Sequence, residues 1–247
     1  GGISIDGDTG RLTGRLAVGS AVSSPYEVTI TVTDPDLASA TTSFAWTVAP
    51  DGGDPGNSIL LVASVAPVSA LDQPIVDRWE SRGFEVTVVA DEDLPSTGEA
   101  EAFDLVWISS TVKPRLIEDA YSGIVTPLGM HEAYLFDDNK LASSSGQKSG
   151  QTLVRDAASG DLVTVTSTTR TFSWATVGAD ADVRARQYDK ASRALVFSYK
   201  SGEALVDGSL AASCRGGFFA GYNTPQQLTE AGWVYFDDLT DLLIGCT

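Results

Sequence analysis

The sequence predicts two domains of different classes, a small β-domain followed by a larger α/β domain. Residues 26–32 alternate strictly between apolar and polar side chains, which is the pattern of a strand with one buried face. Residues 59–62 are continuously apolar, as in a strand covered on both faces. Because a polar segment rich in Gly and Pro separates these patterns, we expect domains at 1–50 and 59–247 and a linker at 51–58.

Composition argues against several classes of partner. The 247 residues contain 33 Asp and Glu against 16 Lys and Arg, a formal net charge of −17. Such a charge repels phosphate backbones and anionic lipid, so nucleic acid and membrane surfaces are not expected partners. Since no apolar run approaches about 18 residues, we expect no membrane insertion. The chain starts at Gly1 without an initiating Met, and we expect it to be a piece of a longer, extracellular surface protein.

The β-domain contains a second alternating strand at 41–48, after an Asp-Pro-Asp turn. Residues 4–10, 29–34 and 44–48 resemble, in order and spacing, a turn and two strands of bacterial cadherin-like and Ig-like domains. Those domains occur in large surface proteins. The resemblance covers only the C-terminal half of such a domain, since a full sandwich needs roughly 90–100 residues. It therefore implies a partial Ig/cadherin-like β-sandwich that lacks its opening strands and that a neighbouring strand could complete.

The α/β domain begins with alternating strands and helices. We predict a helix at 72–82, with Pro74 in its first turn and Gly83 as its C-cap. The same pattern predicts further elements, with strands at 59–62, 85–89 and 105–108, a short helix at 115–121, and a strand around Leu128. This alternation is typical of a parallel sheet.

The second half of the α/β domain is rich in short β segments. Residues 143–150 read as a Ser/Gly loop, and the segments after it predict an antiparallel extension at 162–165, 170–174, 183–188 and 194–199. A last buried strand is expected at 216–220. A final helix is expected at 225–244, with Thr224 as N-cap and with Leu228, Val234 or Tyr235, Leu239 and Leu242 facing inward.

This domain resembles the class I glutamine-amidotransferase-like superfamily, near its ThuA-like branch. A collinear series of segments carries the resemblance, namely 59–62, 82–89, 104–110, 132–138, 217–222 and 228–233. The resemblance implies a flavodoxin-like parallel sheet with an antiparallel extension. Amidotransferases of this superfamily place a cysteine nucleophile at a Leu-Gly-Ile-Cys elbow, and residues 128–131 read Leu-Gly-Met-His.

His131 therefore occupies the nucleophile position. ThuA-like proteins carry Gly-x-His at this place, so the resemblance to them accounts for the histidine. It is the only histidine, so an acyl-transfer triad of nucleophile and separate histidine base cannot be built. We expect no amidase chemistry. His131, Glu132 and Tyr134 could instead form a carbohydrate- or metal-binding pocket with His131 as ligand or general base. The alternative is a structural histidine held under a loop.

The two cysteines predict a disulfide. Cys214 precedes the last strand and Cys246 follows the final helix. A strand and the next helix of an α/β fold run antiparallel, so the start of one lies near the end of the other. Such a bond would contribute roughly 3–4 kcal/mol and indicates an oxidising compartment. The alternative is a pair of free thiols.

Calcium is the one cofactor that the sequence suggests, and none is required. The carboxylates of Asp6, Asp8, Asp34 and Asp36 lie in turns of the β-domain and could hold Ca²⁺, although Asp is common in turns for other reasons. The five Trp residues could offer carbohydrate platforms, but their positions favour core packing.

Taken together, these patterns predict a non-catalytic structural module of an extracellular surface protein. We expect it to be adhesive or to self-assemble as a filament or surface layer, with copies of itself or other surface proteins as partners. The alternative is a ThuA-like protein that binds or acts on carbohydrate through His131, Glu132 and Tyr134.

Overall fold

The first part of the chain forms two antiparallel hairpins. A computed structural model describes residues 2–5, 12–15, 25–33, 38–47 and 57–246. Strands β1 (Gly2–Ile5) and β2 (Leu12–Arg15) form one two-stranded sheet, and β3 (Tyr26–Thr33) and β4 (Ser39–Trp46) form another. The chain divides into two compact units, residues 1–55 and 56–247.

The β3–β4 hairpin places its large apolar side chains on one face and most of its hydroxyl side chains on the other. Residue pairs directly across an antiparallel ladder share a face, which places Val28 beside Phe44. The opposite face carries hydroxyls, where Thr29 and Ser43 are hydrogen-bonded at 2.8 Å. The alternation predicted from the sequence is therefore present in this pair of strands.

The second unit is built on one mixed sheet of eleven strands. Its strands are β5 (Ser58–Ala63), β6 (Glu85–Ala90), β7 (Leu105–Ile108), β8 (Leu128–Met130), β9 (Ser144–Gln151), β10 (Leu153–Asp156), β11 (Leu162–Thr164), β12 (Arg170–Thr176), β13 (Asp182–Gln187), β14 (Lys190–Tyr199) and β15 (Arg215–Gly217). Five of them run parallel in the order β6-β5-β7-β8-β15. Antiparallel strands continue the sheet from β15 through β14, β13 and β10 to β11. The predicted combination of parallel and antiparallel strands is confirmed.

Two buried layers explain why the parallel strands are continuously apolar. Leu60 and Val62 of β5 face one layer, and Ile59 and Leu61 face the other. The helices are α1 (Gln73–Ser81), α2 (Thr97–Ala100), α3 (Pro114–Ile117) and α4 (Glu230–Ile244). Helices α1 and α4 cover one face, and α2 and α3 cover the other. No helix in the described parts of the chain is long and apolar enough to cross a membrane.

Three local predictions were wrong. Residues 143–150 are largely strand, because β9 pairs with β12 and Gly146 makes room for the Trp174 indole. The short helix expected at 115–121 is only one turn, α3. The final helix starts at Glu230 rather than at 225, since Leu228 is extended and Thr229, not Thr224, caps the helix by accepting a hydrogen bond from Gly232 N at 3.2 Å.

The predicted inward face of α4 is confirmed at Leu239, which is buried, and at Tyr235 and Leu242, which are partly buried against the same core. Phe236, Leu239 and Leu243 are buried, whereas Val234 is 49% exposed. The prediction left out Phe236 and Leu243, which belong to the same buried layer as Leu239.

Candidate functional site

The candidate site lies at the carboxyl edge of the parallel strands, where β8 ends. His131 follows β8, and its side chain is fully buried. Its backbone N donates to Ile108 O at 3.1 Å, and its carbonyl accepts from Ser173 Oγ at 3.0 Å. The preceding Gly129 is required by packing, since a Cβ there would lie 2.2 Å from the Trp107 ring.

The hydrogen bonds of the imidazole define its protonation. Trp107 Nε1–H donates to His131 Nδ1 at 2.7 Å. Because indole can only donate, Nδ1 must carry a lone pair, and the neutral ring carries its proton on Nε2. That nitrogen lies 3.4 Å from Ser109 Oγ. The lone pair of the ring is therefore already occupied by Trp107.

A buried carboxylate completes this network from the other side. Asp72, which begins α1, accepts from Ser109 Oγ at 2.5 Å and from Thr111 Oγ1 at 2.7 Å. Ser69 Oγ adds a weaker contact of 3.3 Å. Asp72, Ser109 and His131 are each almost or completely inaccessible to solvent. The sequence did not identify Asp72, Trp107, Ser109 or Thr111 as neighbours of His131. The polar run 109–111, directly after a buried strand, was a signal for Ser109 and Thr111 alone.

Burial shifts the pKa values of two groups in this network. Desolvation lowers the pKa of His131 to about 3. Desolvation also raises the pKa of Asp72, against which the hydrogen bonds from Ser109 and Thr111 act. Both shifts disfavour the charged forms in the same low-dielectric region.

This order of groups differs from a hydrolytic triad. In a triad the histidine lies between nucleophile and carboxylate and takes the proton of the nucleophile. Here Ser109 lies between Asp72 and His131, it donates its proton to Asp72, and His131 Nε2–H points its proton toward Ser109. His131 cannot act as a base on Ser109 in this arrangement, and both side chains are excluded from solvent.

The neighbouring predicted residues have different exposures. Glu132 is 3% exposed, and its carboxylate accepts from Tyr134 N at 3.0 Å. Burial raises the pKa of Glu132 to about 7. The Tyr134 side chain is 57% exposed. The structure thus places a buried imidazole, a nearly buried carboxyl and an exposed phenol along one short segment.

The predicted calcium carboxylates Asp6, Asp8, Asp34 and Asp36 lie outside the described residues, as does most of the predicted linker at 51–58. Within the described ranges, no group of three or more His, Cys, Asp or Glu side chains is arranged to hold a metal ion.

Cys214 and Cys246 form a disulfide, as predicted from the positions of the last strand and the final helix. Their Cα atoms are 5.9 Å apart. The disulfide joins the start of β15 to the end of α4. A groove of about 450 Å³ runs beside it, lined in part by Lys200, Asp241 and Leu242.

Of the five Trp residues, Trp79 and Trp107 are fully buried, as their core positions predicted. Trp174 is half-buried, and the Cζ atom of Arg193 lies 3.7 Å from the centroid of its ring.

Comparison with known protein families gives a match for the N-terminal part of the chain. The family model described as "Putative Ig domain" matches residues 1–49. No curated protein matches the chain. Residues 1–49 are therefore similar to an Ig-like domain, and this similarity indicates a surface or adhesive module.

Proposed function

We propose that this chain is a non-catalytic structural module pair of an extracellular surface protein, and that it self-assembles or adheres to other surface proteins. The observation that carries the proposal is the state of His131. At the position where the resembled enzymes place their nucleophile, the ring is fully buried, and its lone pair accepts from Trp107. A group in that state neither reaches substrate nor takes up a proton.

Three further observations support the proposal. The Ig-like match at residues 1–49 is typical of surface proteins. The disulfide between Cys214 and Cys246 suits an oxidising compartment. Taken in chain order, the five parallel strands lie in the order 2-1-3-4-5, which is the flavodoxin-like order that the amidotransferase-like resemblance implies. On this reading the second unit keeps an enzyme-like scaffold without the chemistry.

The native mass of the chain tests the proposal. Light scattering, combined with negative-stain images of the same sample, should show polymers or filaments. A clean monomer near 25.9 kDa at high concentration would contradict self-assembly. Adhesion would then be tested by binding of the labelled chain to intact source cells.

A second candidate function rests on Glu132 and Tyr134. A carboxyl whose pKa lies near 7, close in sequence to an exposed tyrosine, has the properties of a general acid or base for carbohydrate. A glycan-binding screen distinguishes the two functions. Binding by the wild type that Glu132→Gln and Tyr134→Ala both abolish would favour the carbohydrate function over the structural one.

A further inference from the structure

The charges of the second unit are unevenly distributed along its sheet. Residues 144–199, which form the antiparallel extension, contain seven Lys or Arg and five Asp or Glu. They carry a net charge of +2 within a chain of −17, so the remaining residues carry −19. The extension is thus much less acidic than the rest of the chain, and it repels anions less.

Two arginines concentrate this positive charge. Arg155 of β10 and Arg186 of β13 are direct cross-strand partners, so their side chains share a face. Like charges in that relation destabilise a sheet. Their guanidinium groups donate to backbone carbonyls of Gly160, Tyr188 and Ala191, and neither forms an ion pair with a carboxylate of the described residues.

An apolar side chain lies beside the two arginines. Leu162 of β11 is the cross-strand partner of Arg155 and is 50% exposed. Arginine next to an exposed apolar side chain is a composition that protein interfaces favour. Arg155, Arg186 and Leu162 together are called the basic end, because β11, β10 and β13 are the last strands on that side of the sheet.

The opposite end of the same sheet has the complementary charge. Strand β6 is the last strand there. Residues 85–104, called the acidic end, contain seven Asp or Glu and no Lys or Arg. Among them Glu85, Asp93 and Glu101 are exposed, and none of these three forms an ion pair within the described residues.

We infer that the acidic end of one copy of this chain docks on the basic end of a second copy. The inference rests on the self-assembly in the proposed function and names the surfaces that carry it. The two patches differ, so the contact is heterologous. Repetition of a heterologous contact gives an open chain of subunits unless the rotation between them closes a ring.

The dependence on salt follows from the net charge. Two molecules with a net charge of −17 each repel one another over long distances at low ionic strength. A salt concentration of about 0.1 M screens that repulsion beyond roughly 10 Å. Contacts between the basic and acidic ends act at shorter distances and persist there. At about 1 M salt the screening length falls to roughly 3 Å, and the contacts weaken as well. Association should therefore be strongest at intermediate salt.

Neutralising each end separately tests the inference by sedimentation velocity at about 0.1 M salt. The basic-end variant is Arg155→Gln/Arg186→Gln. The acidic-end variant is Glu85→Gln/Asp93→Asn/Glu101→Gln, in which the amide oxygen introduced by Glu101→Gln can still accept the hydrogen bond from Val125 N. A control, Arg115→Gln/Lys200→Gln, removes two exposed positive charges outside both ends.

The expected result is specific to a heterologous contact. Wild type and control should form chains, and each end variant should associate at least about tenfold more weakly. An equimolar mixture of the two end variants should form a one-to-one dimer and stop, because each supplies one intact end.

Different failures identify which proposal is wrong. If the wild type forms chains but both end variants do so equally well, this docking is overturned while self-assembly stands. A wild type that stays monomeric at every salt concentration overturns both. A monomeric wild type that binds a sulfated polysaccharide through Arg155 and Arg186 would assign the basic end to an anionic polymer and overturn docking between copies.

Discussion

The two edges of the parallel sheet bury polar side chains in opposite ways. At the carboxyl edge, His131 is buried neutral, because its lone pair is taken by Trp107 and desolvation holds its pKa at about 3. At the amino edge, Arg215 of β15 is 1% exposed and stays protonated, although burial lowers its pKa to about 10. The carboxyl edge therefore buries a neutral side chain, whereas the amino edge buries a charged one.

The solvation of Arg215 comes from the backbone. Its guanidinium donates to carbonyls of Ser122, Ile124, Thr126 and Cys214, at 3.3, 2.5, 3.1 and 3.2 Å. Arginine cannot lose its proton at neutral pH, so only partners can offset the cost of burying it. An edge of this sheet is therefore either titratable or permanently charged, and the dependence of stability on pH distinguishes the two states.

The largest effect is expected from acid at the carboxyl edge. The folded pKa of His131, about 3, lies below the unfolded value of about 6.5, so the unfolded chain binds a proton first as pH falls. This group should cost about 4–5 kcal/mol of stability between pH 6.5 and 3. In His131→Asn, whose Oδ1 can accept from Trp107, that loss should vanish.

Urea unfolding at a series of pH values measures the effect. Because the chain has one histidine, the difference between wild type and variant isolates its titration. A difference in unfolding free energy that stays constant from pH 7 to 4 would show that His131 is not buried neutral.

At the amino edge, the disulfide beside Arg215 should contribute roughly 3–4 kcal/mol, since it closes a loop over a sequence separation of 32 residues. Cys214→Ser/Cys246→Ser should lower the stability measured by urea unfolding by that amount at every pH. Reduced wild type is the matched control and should unfold like the variant. A loss below about 1 kcal/mol would contradict the prediction and would mean that the bond constrains the unfolded chain very little.

Replacing Arg215 by Met should cost about 3 kcal/mol, because four buried carbonyls lose their donor. The stability of Arg215→Lys should lie between those of wild type and Arg215→Met, since an ammonium has three donors rather than five. Arg115→Met, at an exposed position, is the control and should change stability by less than about 0.5 kcal/mol. Unlike the His131 effect, this loss should be independent of pH between 4 and 8, as followed by urea unfolding. A strong pH dependence would contradict a fixed edge.

The sequence predicted the features that depend on a single strand or on one strand and its neighbouring helix. Continuous apolar runs such as 59–62 predicted strands covered on both faces, and the positions of Cys214 and Cys246 relative to one strand and one helix predicted their pairing. The position of His131 at the rim of the sheet followed from the end of the Leu128 strand. These signals are local or depend on one regular connection.

The partners of His131 could not be read in the same way. Trp107 and Asp72 lie 24 and 59 residues away in sequence, and only the parallel register of β7 and β8 brings Trp107 to the ring. Strand β9 was missed because Ser and Gly have low strand propensity, and pairing with β12 overrides it. The sequence around Arg215 does not show that four carbonyls converge on its side chain.

The smallest effect returns to the carboxyl edge, with the opposite sign to His131. Burial raises the folded pKa of Glu132 to about 7, so the folded state holds its proton more tightly than the unfolded one. Stability from this group is therefore present below about pH 4.5 and lost as pH rises to about 7, by about 2 kcal/mol after allowance for residual solvent contact. In Glu132→Gln the amide oxygen can still accept from Tyr134 N, so the variant should be more stable than wild type at pH 8 and similar at pH 4.5.

Urea unfolding at those two pH values measures the change, with the exposed Glu80→Gln as a control outside this edge. Equal stabilities of Glu132→Gln and wild type at pH 8 would mean that the Glu132 carboxylate is solvated, and the edge would then be titratable through His131 without an opposing group.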